Sequence, residues 1–303
     1  MFLDPDKRVD LMTAAGHVHD GAVVALGGGL SARLPMALVR EMIRQGRRDL
    51  HVVGSAHGID VDMLIGAGAI AICEESYVGF EQDFGLAPAY RRAASAGTIT
   101  LRESCCVTIL TQLRAAEMGL PFLPVRGING TDMHRLHPEY AQTTCPFTGE
   151  VLVAVPPLSP DVALLHAPMG DMHGNLHLDQ PYVLDQRFAG AARTVVATVD
   201  RLVSADRLTE AGVTIPGYLV QAVAEVPYGA HPTSCYPGYS YDREHIGLYV
   251  AAAGSADTMN EYLRAWVHVA DGEAGYRARV GEPGLARLTS WSESIDAWKA
   301  LFT

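Results

Sequence analysis

Short apolar runs recur along the chain, each closed by glycine, proline or a polar cluster, and segments of helical period lie between them. The runs at 22–26, 50–53, 69–73, 151–155, 162–167 and 194–199 are largely apolar without strict alternation, and 194–199 is rich in β-branched residues. That is the pattern of strands buried on both faces, as in a parallel sheet. Residues 35–45 carry Met36, Leu38, Val39 and Ile43 on one helical stripe, with Pro35 in the first turn. Helices are also expected over 6–17, 60–67, 89–96, 107–118 (closed by Gly119) and around 188–192. Residues 98–101 read as extended, 120–125 lead into the polar loop RGINGTD, and 218–220 and 222–226 flank another short element. Together these predict an α/β fold, a mainly parallel sheet covered by helices on both faces, over residues 1–250. From 257 the pattern turns helical and more charged, so 251–303 is expected to be a helical extension packed on the sheet domain.

Composition narrows the function classes. The 303 residues include 49% hydrophobic and 19% charged side chains, an ordinary globular balance. A net charge of −11 argues against nucleic acid or an anionic membrane as partner. No apolar run approaches the ~18 residues of a membrane span, and no basic-then-apolar leader is present. A soluble, cytoplasmic protein is therefore expected. The cysteines Cys73, Cys105, Cys106, Cys145 and Cys235 are odd in number and contain no C-x-x-C, which fits reduced thiols better than disulfides or zinc.

Five stretches carry candidate chemistry. DGAVVALGGGLSARLP, residues 20–35, puts Gly27, Gly28 and Gly29 at a strand end, followed by Ser31 and Arg33. G-x-G-x-x-G lacks its last glycine here, and the P-loop lacks its lysine, so neither standard phosphate motif applies. What remains is a tight turn, or a backbone that a ligand approaches closely. CEESYVGFEQDFG, residues 73–85, follows an apolar strand, where ligands of parallel sheets usually bind. Glu74 and Glu75 there are candidate nucleophiles or bases, or simply a solvated acidic turn. The loop after 125 offers Arg126, Gly127 and Asn129. His173 and His177 sit among turn-forming glycines, H-E-x-x-H is absent, and no metal site is expected. YGAHPTSCYPGYSYD, residues 228–242, reads as a structured loop, and its His231 and Cys235 form a weak dyad candidate.

Taken together, these stretches resemble the alpha (A) subunits of family I coenzyme A transferases, the glutaconate type most closely. A related branch comprises the alpha subunits of CoA-thioester hydrolases that open a steroid ring. Asp20-Gly21, Val24-Ala25-Leu26, Gly27-Gly28 and Pro35 follow the A-subunit pattern, with Gly29 in place of the usual phenylalanine. Ser76-Tyr77-Val78-Gly79, LPFLPV and the whole of YGAHPTSCYPGYSYD are similar to glutaconate-type sequence. The resemblance implies an α/β fold and a substrate that is a coenzyme A thioester, with no permanently bound cofactor. It also implies a beta subunit, in an α2β2 heterotetramer, carrying the nucleophilic glutamate of a Ser-Glu-Asn-Gly motif. That motif does not occur in these 303 residues; Ser292-Glu293-Ser294 is the nearest string. CoA would then pass between an acyl-CoA and a carboxylic acid through a glutamyl-CoA intermediate. Gly27 to Gly29 are expected to offer backbone donors to an oxyanion, and Arg33 or Arg126 to hold an acyl carboxylate, unless these arginines form surface ion pairs. Ser31, Ser76, Tyr77, Gly79, Gly127 and Asn129 complete the expected pocket. The ring-opening hydrolases use an alpha-subunit glutamate as base; alignment through GTITLRESCC brings Cys106 to that position, and a slip brings Glu103. Alternatives are hydrolase or lyase chemistry on the same scaffold, a self-contained enzyme using Glu75, and a non-catalytic scaffold subunit.

Overall fold

The computed structural model describes residues 5–180 and 182–289. Its central sheet runs in the order Ala222–Glu225, Thr194–Leu202, Val162–Gly170, Val23–Leu26, Leu50–Val53, Ile70–Glu74 and Thr100–Leu101. Every neighbouring pair along that path is parallel. Leu176–His177 adds one antiparallel segment beside Val162–Gly170. Because successive strand residues face opposite sides, each run feeds two cores. Val24, Leu26, Val162 and Leu164 pack with the helices Met36–Arg44 and Ile59–Gly66 on one face. Ala25, Ala163 and Leu165 pack with Ile109, Leu113 and Phe188 of the helices Cys106–Glu117 and Asp185–Ala191 on the other. Burial on both faces explains why the runs are largely apolar rather than alternating.

Some elements differ from the sequence reading. The first helix is Leu11–Gly16, not 6–17, because the Asp10 side chain caps it by accepting from the Thr13 N–H at 2.7 Å. The residues before it are extended, and Arg8 bridges Val223. The segment 151–155 is a strand, Val151–Val155, but it lies outside the main sheet, antiparallel between Leu123–Val125 and Ala141–Thr144. The helices Ala205–Ala211 and Arg243–Ala252 had no counterpart in the pattern.

Beyond 250 the described residues are mainly helical: Ala256–Tyr262 runs into a π-turn at Leu263–Val267, followed by Gly272–Val280 and Glu282–Thr289. Met259, Tyr262 and Val267 join the same buried cluster as Leu26 and Met36. The Ser292-Glu293-Ser294 string lies outside the described residues.

Candidate active site

The parallel sheet places the C-terminal ends of Val23–Leu26, Leu50–Val53, Ile70–Glu74 and Thr100–Leu101 side by side. Most of the sequence candidates follow one of these ends; Arg126, Gly127 and Asn129 do not. Beyond the second and third strands the ladder continues as a short parallel pair, Ala56–His57 against Tyr77–Val78. Both Ser76 and Tyr77 N–H groups donate to the Ser55 carbonyl, at 3.1 and 3.0 Å. This sets the Ser55 and Ser76 hydroxyls 3.4 Å apart. The fourth strand leads through Arg102 to Cys105 into the helix Cys106–Glu117, whose first residue puts its sulfur 3.1 Å from Ser76 Oγ. Three connections thus converge two hydroxyls and an exposed thiol on one edge of the sheet. Hydrogen bonds from Ser55 and then Ser76 hold the Cys106 thiol below its ordinary range, against burial and the Glu75 charge.

Beneath this edge lies a buried acid–base pair. Glu75 Oε1 is 2.8 Å from His57 Nδ1, and both side chains are 1% exposed. His57 Nε2 lies 3.1 Å from the Leu26 carbonyl, which can only accept, so Nε2 carries a proton. Burial opposes charge on His57, but the carboxylates of Glu75 and Asp60 outweigh it and raise the imidazole to about 9. Burial also pushes the Glu75 carboxyl up, with His57 opposing. Both shifts favour retention of one shared proton by the pair, which keeps it near neutral overall. Glu75 Oε2 has no hydrogen-bond partner among the described residues. Glu74 is also buried, 3.0 Å from His51 Nε2 and 3.1 Å from Arg102 Nε. Neither glutamate belongs to a solvated turn.

The glycine loop is organised differently from expectation. Gly27 N–H donates to Leu164 O at 2.8 Å, Gly28 N–H to Asp185 Oδ1 at 2.9 Å and Gly29 N–H to Ala32 O at 3.0 Å. All three donors expected to face an oxyanion are thus satisfied inside the chain. Arg33 is 2% exposed; its guanidinium is 3.0 Å from Asp185 Oδ2 and donates at 3.0 Å to the Asp179 carbonyl. An acyl carboxylate would have to displace Asp185. Arg126 is an exposed surface partner of Glu150 at 2.6 Å, and Asn129 Nδ2 donates to Val151 O at 2.9 Å. Both belong, with exposed Gly127, to the small antiparallel unit. Ser31 and Gly79 line a cleft of about 350 Å³ with Ile59, Phe80 and Ile246. Tyr77 lies over Gly79, where a Cβ would strike its phenol ring, and its hydroxyl accepts from the Glu81 N–H at 3.1 Å. Glu103 is exposed, and its carbonyl is 2.6 Å from His137 Nε2.

His231 and Cys235 are not a dyad. His231 faces Tyr276 and Asp242, at 2.7 and 3.3 Å. Cys235 lies instead with His166 and Asp200, the three ligand-type atoms within 4.8 Å of one another. Ser55 and His57 are the site residues that the sequence reading passed over. Their stretch, GSAHGID, follows an apolar strand and carries an ionisable residue, as CEESYVG does.

Residues 9–226 match the coenzyme A transferase family. The chain is 32% identical over 292 residues to the A subunit of glutaconate CoA-transferase from Acidaminococcus fermentans, covering 90% of this chain and 91% of that protein. The crystal structure of that enzyme superposes with a TM-score of 0.88 over 93% of this chain and 95% of that one, at 30% identity. A cholesterol ring-cleaving hydrolase IpdA subunit of Rhodococcus jostii is 31% identical over 91% of this chain and 96% of its own length. An uncharacterized protein of Archaeoglobus fulgidus is 33% identical over 87% of this chain, which spans only 60% of that protein.

Proposed function

The chain belongs to the coenzyme A transferase family, and we propose that it is the alpha subunit of a heteromeric CoA-transferase, moving CoA between an acyl-CoA and a carboxylic acid. The observation that carries this reading is the convergence of Ser55, Ser76 and Cys106 at the C-terminal edge of the parallel sheet, in a chain similar over nearly its whole length to the alpha chain of a glutaconate CoA-transferase.

The reaction needs a carboxylate nucleophile that reaches the thioester carbonyl. Glu75 is closed off by burial and bonded to His57, and Glu74 is closed off beside His51 and Arg102. A beta subunit bearing a Ser-Glu-Asn-Gly glutamate would supply the nucleophile. Its carboxylate attacks the thioester carbon, CoA thiolate leaves, and an acyl-glutamyl anhydride forms. The thiolate then attacks the glutamyl carbonyl, giving glutamyl-CoA and freeing the acyl carboxylate. A second carboxylate reverses the sequence. Each step passes through an oxyanion, which preorganised donors stabilise. With the glycine-loop N–H groups occupied and the Ser76 hydroxyl donating to the Ser55 carbonyl, the Ser55 hydroxyl and the start of the helix Cys106–Glu117 are donors this chain would bring to that edge. The assembly would be α2β2 and act in the cytoplasm.

The test is co-expression with a Ser-Glu-Asn-Gly-bearing beta chain, with acetyl-CoA or glutaryl-CoA as donor and acetate or glutarate as acceptor. Expected are acceptor-dependent CoA exchange and inactivation by hydroxylamine only when acyl-CoA is present. CoA release without an acceptor would replace the reading by hydrolysis, the activity named for the Rhodococcus relative.

A further inference from the structure

The strands Val162–Gly170 and Thr194–Leu202 carry a second group of polar side chains, apart from the edge where Ser55 meets Ser76. His166 pairs with Thr198 across this parallel ladder, and Asp200, two residues on, lies on the same face as Thr198. Cys235 reaches them from the loop 228–242. Its place is fixed from both sides. Ser234 donates to the Ser31 carbonyl at 2.8 Å and accepts from the Arg33 N–H at 2.7 Å, while Cys235 and Tyr239 exchange backbone bonds at 3.0 and 3.1 Å. One ligand-type atom from each of His166, Asp200 and Cys235 lies within 4.8 Å of the other two. We propose that these three residues bind a divalent cation of the zinc class, which fastens the loop 228–242 to the central sheet.

The polarity of the cluster supports this. Thr198 has one hydroxyl proton, which it gives to the Leu165 carbonyl at 3.4 Å, so its oxygen accepts from His166 Nδ1–H at 2.9 Å. The neutral ring then turns the lone pair of Nε2 toward the carboxylate and the sulfur, and an outer hydroxyl holding the far nitrogen is how proteins orient a metal-binding imidazole. Nε2 is buried and makes no hydrogen bond among the described residues, although Asp200 Oδ1 is only 3.3 Å away. The carboxylate is therefore off the line along which an N–H would donate. A separation of roughly 3.3 Å is what two ligands on a tetrahedral zinc ion adopt with bonds of about 2.0–2.1 Å. His166 and Cys235 are fully buried, whereas the Asp200 side chain is 13% exposed and gives an ion its way in. The Tyr239 hydroxyl, 3.4 Å from Asp200 Oδ1, steadies the carboxylate.

One nitrogen, one carboxylate oxygen and one sulfur form a borderline-soft donor set, suited to zinc and not to magnesium or calcium. Binding releases the Cys235 proton to water, so thiolate and carboxylate together balance the two charges of the cation. Water takes the fourth position. No step of CoA transfer passes through the ion, and the inference does not depend on the transferase reading.

The experiment strips the complex of this chain and its beta subunit with a chelator, adds Zn²⁺ or Co²⁺, removes the excess and counts the metal. At least one retained ion per copy of this chain is expected, with a thiolate-to-cobalt charge-transfer band in the cobalt form. X-ray absorption of the zinc form, which needs no variant, should show sulfur at about 2.3 Å beside nitrogen and oxygen at about 2.0–2.1 Å. Cys235→Ser should remove the charge-transfer band, and Cys105→Ser and Cys145→Ser should keep it. Asp200→Asn, a milder change at a partly exposed side chain, should weaken zinc binding by roughly tenfold or more, as loss of even an outer partner does. No retained ion, a zinc shell without sulfur, a band that survives Cys235→Ser, or unchanged affinity in Asp200→Asn would each overturn the inference.

Discussion

Arg33 carries its own test at the scale of a single residue. Its backbone is left-handed, with φ +52°, and its N–H donates to the Ser234 carbonyl at 2.7 Å. The guanidinium and Gly28 N–H share the two oxygens of Asp185, so one buried carboxylate fixes both ends of the loop. Replacing Arg33 by alanine leaves that carboxylate uncompensated in a buried site, a loss on the order of 3–5 kcal/mol. Urea unfolding of Arg33→Ala is expected to show it. Unchanged stability with a selective rise in KM for a dicarboxylic acyl-CoA would return Arg33 to the substrate role read from its sequence neighbours. Gly28 sits at φ +73°, where an added Cβ would run into the Ala32 carbonyl and the Arg33 backbone. Gly28→Ala, which at a compatible site would stabilise, should here destabilise by more than roughly 1 kcal/mol, measured the same way. The glycines were legible as a turn. The partner of Arg33 was not, because Asp185 lies 152 positions away and only the folded sheet brings the two together.

At the scale of elements, the legible parts are those with buried apolar pattern. Leu50–Val53 and Met36–Arg44 match the sequence reading to within a residue. Ala141–Thr144 escaped because AQTT pairs along the edge of a small sheet and is largely exposed, so it needs no apolar alternation. The two-residue extensions at Ala56–His57 and Tyr77–Val78 are too short for any period, yet they bring Ser55, His57, Glu75 and Ser76 together. Their buried pair gives the molecule a pH dependence with a definite sign. His57 is near 6.5 when unfolded and about 9 when folded. Its stabilisation is thus fully present below about pH 6.5 and is lost as pH rises through about 9. Thermal or urea unfolding between pH 6 and 9.5 should show declining stability, and His57→Gln should flatten that slope. A wild-type profile as flat as that of the variant would mean that the pair does not share a proton.

For the whole molecule, the sequence reading divides the chain at 250, and the helix Arg243–Ala252 runs across that division. Charge and helical period past 257 are visible in the sequence, but what those helices touch is not. Glu273 explains why they matter. It is buried against Arg40 of the helix Met36–Arg44, both of its oxygens bonding that guanidinium, and Arg44 adds a bond at 3.1 Å. Arg40 also donates to the His231 carbonyl at 2.8 Å and stacks on the Tyr276 ring at 3.7 Å. Burial alone would raise Glu273, but Arg40 and then Arg44 hold its carboxyl below the usual range. Arg40 is 1% exposed, so loss of the Glu273 carboxylate alone leaves a buried cation without its partner. The extension is then expected to unfold with the sheet and not before it. Glu273→Gln should lower the urea midpoint by the equivalent of about 3–5 kcal/mol while keeping a single transition. Hydrogen exchange in helices 36–44 and 272–280 should accelerate together in that variant. If exchange rises only beyond residue 250 and the sheet keeps its protection, the later helices form a separate unit and the Arg40–Glu273 pair is a local fastening.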